Sequence, residues 1–298
     1  MGRVLAHSSI NPSNEKDCFM DKAAREFEFS DKHFARISSF VTAQTGILLP
    51  AAKKDMVYSR LSKHVRRNYG GSFDAFCLAV DNGDPDTIEL LINAITTNLT
   101  AFFREKHHFD YLKQHVLPEL LIKNQATKKI RIWSAGCSTG EEPYSLAICL
   151  HQFFKGHPGW DVKVLATDLD ANVLEQAASG IYTIERVSQF SEDEKHAWFS
   201  RGKAENNGLV KVKSFLKEFI SFRRLNLLHP FPMKGTFDVI FCRNVIIYFD
   251  KTTQIGLFHR FAEKMLPGGY LFIGHSETLF NISNQFVSDG NTIYRRIT

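Results

Sequence analysis

The spacing of apolar positions changes along the chain near residue 129. Before that point apolar residues recur every three or four positions, first Phe34, Ile37, Phe40 and Val41, then Val57, Leu61 and Val65. This period predicts amphipathic helices. Ser30 suits an N-cap for the first helix, and Gly46 suits its end. A second helix is predicted over 51–68, stopping before Gly70-Gly71, with a third and fourth over 72–82 and 84–96. Beyond residue 129, short apolar runs alternate with helical stretches. Residues 130–133, 162–167, 237–242 and 270–274 read as strands, and 251–266 as a helix ended by Pro267-Gly268-Gly269. Between Asp170 as N-cap and Gly180 as stop, Val173, Leu174 and Ala177 mark the inward face of another helix. Strand–helix alternation of this kind builds βαβ units and a mostly parallel sheet. The tail, 285–297, carries two short strands around Asp289-Gly290-Asn291, predicting an antiparallel hairpin at a sheet edge. Residues 209–213 and 219–222 also alternate, which predicts a small β insertion at about 205–224.

The domain reading follows: a polar, disordered lead-in over 1–24, a helical domain over 25–96, a connecting segment over 97–128, and an α/β domain over 129–298. Of the 298 residues, 44% are hydrophobic and 23% charged, the balance of a soluble globular protein with a real core. No run approaches the ~20 apolar residues of a membrane span. Five cysteines, odd in number and never in C-x-x-C spacing, predict reduced thiols in the cytoplasm and no structural zinc. Cys242, beside Phe241 and with no basic residue before it, reads as a buried inert thiol rather than a nucleophile. His107-His108 read as surface or packing residues, so no metal site is expected. A net charge of +5 permits an acidic partner without choosing its class.

Candidate chemistry concentrates at KIRIWSAGCSTGEEPYS, residues 129–145. A strand, a small-residue loop and a helix opening with Glu141, Glu142 and Pro143 form the kind of crevice in which α/β sheets hold adenosine-containing ligands. The glycines are spaced Gly136-x-x-x-Gly140, which is neither the dinucleotide G-x-G-x-x-G nor a P-loop. Two acids at a helix start repel a pyrophosphate but suit a cationic ligand such as S-adenosylmethionine, which carries a sulfonium and an ammonium. Asp168, at the end of the second strand, is placed to accept two ribose hydroxyls; a plain turn aspartate is the alternative. In residues 98–105, polar Asn98, Thr100 and Arg104 are interleaved with Leu99, Phe102 and Phe103, a pattern fitting either a small-molecule pocket or an interdomain connection. Arg243 and Asn244 fall at the sheet's carboxyl edge, with Tyr248 one turn on. The run Gly274-His275-Ser276-Glu277 reads as a turn.

Taken together, NLTAFFRE (98–105), WSAGCSTGEEPYS (133–145), ATDLD (166–170), LNLL (225–228), FDVIFCRNVIIYFD (237–250) and GHSE (274–277) resemble the bacterial chemotaxis receptor methyltransferases, the CheR family. The likeness runs from about residue 29 to 294. It implies a Rossmann-like class I methyltransferase domain with a β insertion, preceded by a small all-helical domain. It implies methyl transfer from S-adenosylmethionine to glutamate side chains of chemoreceptors, leaving S-adenosylhomocysteine. Carried over, the cofactor contacts are Asn98, Thr100, Arg104, Ala135, Glu141, Asp168, Asn226, Leu227, Arg243 and Asn244. Arg104 and Tyr248 are implied to lie nearest the transferring methyl. The β insertion is implied to grip a receptor C-terminal peptide in some members. The protein is expected to be a cytoplasmic monomer without membrane insertion.

A glutamate-rich receptor helix gives the basic residues of 51–68 a purpose: Lys53, Arg60, Lys63, Arg66 and Arg67 are placed to steer onto it. An ordinary solvated face is the alternative. Rival readings are a methyltransferase acting on nucleic acid, a binding module that keeps the cofactor fold without catalysis, and a nicotinamide dehydrogenase. The first lacks an N-P-P-Y-type segment after the strand, since Arg243-Asn244-Val245-Ile246 stands there. The last lacks the G-x-G-x-x-G.

Overall fold

The computed structural model describes residues 25–297; the reading of 1–24 as a lead-in lies outside them. Ser30 caps α1 (Asp31–Thr45) by accepting from the His33 N–H, and the His33 ring accepts from the Ser30 N–H in return. Gly46 ends the helix at φ 73°, a left-handed position that glycine occupies without strain. Three further helices, α2 (Lys54–Tyr69), α3 (Phe73–Asp81) and α4 (Pro85–Ile95), complete the helical domain. Their apolar stripes meet in one core of Ile37, Val41, Val57, Leu61, Phe73 and Leu91. Each fully buried side chain of this type stabilises the fold by about 1.5–3 kcal/mol.

After α4 the chain runs through α5 (Lys106–Tyr111) and α6 (Leu117–Lys123) into β1 (Lys129–Ala135). Then α7 (Glu141–Phe154), β2 (Asp161–Asp168) and α8 (Ala171–Ser179) follow. Next come β3 (Ile181–Thr183), α9 (Glu192–Trp198), β4 (Phe199–Arg201), β5 (Leu209–Val212) and α10 (Ser214–Lys217). The chain closes with β6 (Ile220–Arg224), β7 (Phe237–Cys242), α11 (Lys251–Glu263), β8 (Met265–Ile273), β9 (Phe286–Gly290) and β10 (Ile293–Arg296). Seven strands form one sheet in the order β6-β2-β1-β7-β8-β10-β9. Strands β6 to β8 are parallel, and β10 and β9 add the antiparallel edge. Strand order reverses at β1, so the crevice beyond the carboxyl ends of β1, β2 and β7 is where a ligand binds in such a sheet. Trp133, Phe258 and Phe261 pack on one face, and Phe109, Leu146 and Phe241 on the other.

Two boundaries differ from the sequence reading. Residues 220–224 are not part of the insertion; they pair in parallel with β2, Val164 opposite Ile220 through Asp168 opposite Arg224. That placement covers the open edge of β2 and packs Ile220 and Phe222 against Ala166 and Leu174. The insertion lies earlier, as the three-stranded sheet β3-β5-β4. The predicted helix over 251–266 stops at Glu263, because Met265 already pairs with Phe237 and the strand passes Pro267-Gly268-Gly269 with a register shift. No helix among the described residues is long and apolar enough to cross a membrane.

Candidate functional site

A cleft of about 1030 Å³, counting its open mouth, lies at the switch point between the sheet and the helical domain. Gly136 opens the β1 loop at φ 90°, and a Cβ there would stand 2.4 Å from Val245 Cγ2. The amides of Gly136 and Cys137 both donate to the Thr167 carbonyl, at 2.8 and 2.9 Å, which ties the loop to β2. One residue on, the Ser138 amide donates to Asp168 Oδ2 at 2.8 Å and the Asp170 amide to Asp168 Oδ1 at 3.1 Å. The carboxylate is thus fixed from behind, and each oxygen keeps acceptor capacity toward the cleft. Burial pushes the Asp168 carboxyl above its ordinary range, against the pull of these amides. Asn98 reaches the cleft from the connecting segment, its Nδ2 donating to Asp170 Oδ2 at 2.8 Å and its carbonyl accepting from Ser138 Oγ at 2.9 Å. Thr100 lines the same wall.

The two glutamates that open α7 separate. Glu142 lines the cleft, its Oε1 accepting from Ser134 Oγ at 2.7 Å and its Oε2 from Arg243 Nη1 at 3.0 Å. Burial raises the Glu142 carboxyl, opposed by the charge of Arg243. Glu141, expected at the cofactor, instead turns away and is wholly buried, with Arg186 Nη2 2.6 Å from its Oε1 and Thr139 Oγ1 2.6 Å from its Oε2. Consecutive helical residues point about 100° apart, so one of the pair must leave the cleft. Ala135, also expected there, is sealed in the core beneath the β1 loop, and Gly136 and Ser138 form the surface instead.

Arg243 lines the wall, but its charge is spent internally. It is buried between Glu142 and Glu105, at 3.0 and 3.2 Å, and it donates to the Arg104 carbonyl. Burial alone would raise the Glu105 carboxyl, yet the His275 hydrogen bond and the Arg243 charge outweigh it and hold it at about 2. Glu105, His107 and His108 come within 4.8 Å of one another, but Arg243 and the positive end of α5 already stand against a metal ion there. Arg104 differs from Arg243. It lines the cleft, donates to the Leu99 carbonyl at 2.8 Å, and makes no ion pair among the described residues. Tyr248 also lines the cleft, and its carbonyl accepts from the Leu48 amide at 2.9 Å. Asn226 donates to the Gln44 carbonyl at 2.7 Å, and Leu227, Leu225, Phe249 and Ile47 form an apolar wall beside it.

Thr45, Ile47 and Glu277 escaped the sequence reading, and the carry-over to the cofactor took the wrong one of the two acids. Both acids at the start of α7 were read as suiting a cation, and Glu142 is the one that lines the cleft. Thr45 and Ile47 bring the helical domain into the cleft, which no local signal announces. Glu277, in a run read as a plain turn, is buried and accepts from four backbone amides: Gly274 (2.5 Å), Asn244 (3.0 Å), Ile246 (2.9 Å) and Ile247 (3.3 Å). It shapes the loop that carries Asn244, at φ 59°, and Tyr248.

Among the basic residues of the second helix, Arg60 is corrected: its Nη1 donates to the carbonyls of Ala94, Ile95 and Thr96 at 3.2, 2.9 and 2.9 Å. It caps the end of α4 and is not available for steering. Arg66 pairs with Glu26, whereas Lys53, Lys63 and Arg67 are exposed.

The residues fit an adenosine-bearing sulfonium ligand. A fixed carboxylate with open acceptor capacity suits a pair of hydroxyls, an apolar wall suits a flat heterocycle, and a second carboxylate suits a cation. Comparison with known proteins agrees. Residues 98–294 match the family described as CheR methyltransferase, SAM binding domain, and residues 32–96 match CheR methyltransferase, all-alpha domain. The chain is 41% identical over 290 residues to the chemotaxis protein methyltransferase of Salmonella typhimurium, covering 96% of this chain and 97% of that one. It is 42% identical over 268 residues to that of Escherichia coli, covering 89% and 91%. Chemotaxis protein methyltransferase 2 of Pseudomonas aeruginosa is 41% identical over 271 residues, covering 91% and 95%.

Proposed function

The chain belongs to the CheR methyltransferase family, and from that premise we propose that it transfers methyl from S-adenosylmethionine to glutamate carboxylates of chemoreceptors. S-adenosylmethionine supplies an electrophilic methyl on a sulfonium and leaves as S-adenosylhomocysteine. The observation that carries the glutamate assignment is Arg104, the cleft guanidinium with no carboxylate partner among the described residues, set against Arg243, which has two. An incoming carboxylate is the natural partner for a cation left open in this way. A glutamate with an ordinary pKa of about 4.3 is already ionised at neutral pH, so no general base is needed. Positioning is what the site must supply, an effect worth up to ~7–11 kcal/mol. Arg104 orients the carboxylate, Tyr248 holds the carboxylate or the methyl, and Asp168, Glu142 and Asn98 fix the donor's polar groups.

The partners are glutamate-bearing helices of the receptors' cytoplasmic region, met by the exposed Lys53, Lys63 and Arg67. The small sheet β3-β5-β4 is the corresponding place for a receptor C-terminal peptide. The enzyme works as a cytoplasmic monomer. A nucleic-acid substrate is disfavoured, because of the two arginines lining the cleft one is neutralised by Glu105 and Glu142.

The test is transfer of tritiated methyl to receptor-containing membranes and, separately, to RNA. Alkali-labile label on the receptor is expected; alkali-stable label, or label on RNA, overturns the assignment. Arg104→Ala is expected to lower kcat/KM for the receptor by at least about tenfold, and full turnover by this variant would remove Arg104 from the reaction.

A further inference from the structure

Two segments contribute lining to the cleft: 98–104 and 136–142. Both rest their backs on one body, the stretch around the small sheet β3-β5-β4. Phe102 is buried, and its ring meets Tyr182, Phe190 and Phe199 edge-on, with centroids at 5.1, 5.5 and 5.5 Å. Gln189 Nε2 donates to the Phe102 carbonyl at 3.0 Å. On the second segment, the Tyr182 hydroxyl donates to the Thr139 carbonyl at 2.7 Å. Tyr182 also stands close behind Gly140, where a Cβ would come within 2.9 Å of its oxygen. Arg186 then supplies the positive charge opposite Glu141, which has no exposed surface. A buried carboxylate deprived of its partner is strongly destabilised, and its loop must shift to reach water.

Resting on the functional reading above, we propose that the small β insertion is the back support of the methyl-donor site. In this proposal Arg186 and Tyr182 are its positioning residues, and Glu141 is a strut within the loop rather than a ligand. Neither Arg186 nor Tyr182 lines the cleft. They act through Thr139 and Glu141, which lead directly into Glu142. A change in the insertion is therefore felt as a change in donor affinity.

The experiment is calorimetric titration of S-adenosylhomocysteine into the full chain. Arg186→Met is expected to weaken binding by about tenfold or more, while KM for the receptor stays near its original value. Combining Glu141→Gln with Arg186→Met removes the stranded charge, so the double variant is expected to bind more tightly than Arg186→Met alone. Wild-type affinity in Arg186→Met overturns the proposal. A double variant as weak as Arg186→Met overturns it too, since Glu141 would then be acting on the ligand itself. If Arg186→Met does not fold, Tyr182→Phe decides, because it deletes only the hydroxyl bonded to Thr139. A loss of severalfold in affinity, in a variant that stays folded at the titration temperature, supports the proposal, and wild-type affinity overturns it. Failure of the unmutated chain to bind would overturn the functional reading as well as this one.

Discussion

One carboxylate accounts for the conformation of the loop after β7. Glu277 accepts from Asn244, Ile246, Ile247 and Gly274, so four amides of two segments converge on a single buried side chain. Glutamine has the same shape but turns two of those acceptor positions into donors facing N–H groups. Glu277→Gln is therefore expected to cost about 1–3 kcal/mol in stability and to weaken S-adenosylhomocysteine binding, read by calorimetry; wild-type affinity and Tm would refute the clamp. The same region sets an acid limit. His108 is buried with Nε2 at 3.0 Å from the Asn291 carbonyl, and burial, with the charge of Arg243, lowers it from 6.5 to about 4. The unfolded chain takes up that proton at higher pH than the folded one, so the contribution is complete above pH 6.5 and is lost as pH falls toward 4. Glu105, lowered from 4.5 to about 2, extends the loss below that window. Tm is expected to drop steadily from pH 6.5 to 4, with a flatter profile in His108→Gln; a Tm constant across this interval would refute it. None of this was legible in the sequence. An acid in G-H-S-E reads as a turn residue because three of its four amide partners come from the loop after β7, distant in sequence, and Glu141 and Glu142 differ only in rotation about the helix.

At the scale of elements, the informative junction is the end of α1. Gln44 accepts from Asn226, Leu48 donates to the Tyr248 carbonyl, and Thr45 and Ile47 face the cleft between them. Gly46 sits at the centre of this junction with φ 73°, and a Cβ there would approach Leu228 Cδ2 to 2.8 Å and Phe249 Cδ1 to 3.2 Å. Gly46→Ala is expected to cost more than about 1 kcal/mol of stability and several-fold in cofactor affinity, measured by thermal unfolding and calorimetry on one preparation; a loss of stability with unaltered affinity would detach the helical domain from binding. Periodicity gave the elements here well, because caps such as Ser30, Asp170 and Gly180 and the apolar stripes are local. It could not assign β6, since alternating Ile220 and Phe222 look the same beside β2 as in a small separate sheet. Strand partners are chosen by what remains uncovered, and that is a property of the assembled sheet.

Across the whole molecule, the net charge of +5 is unevenly used. Arg60 closes α4, Arg66 holds Glu26, Arg186 serves Glu141, and Arg243 serves two acids. Lys63 and Arg67 are exposed and one turn apart on α2. Reversing both, Lys63→Glu with Arg67→Glu, is expected to lower kcat/KM for the receptor severalfold at low salt and to flatten its salt dependence, with cofactor affinity retained. Equal rates at all ionic strengths would make this face merely solvated.

The seam at Gln44–Leu48 also bears on how such proteins diversify. A cleft walled by two stretches of chain nearly two hundred residues apart cannot be exchanged piecemeal. A chimera that imports a relative's helical domain must bring matching counterparts of Asn226, Leu228, Tyr248 and Phe249, or it will fold as two sound halves with a leaking join.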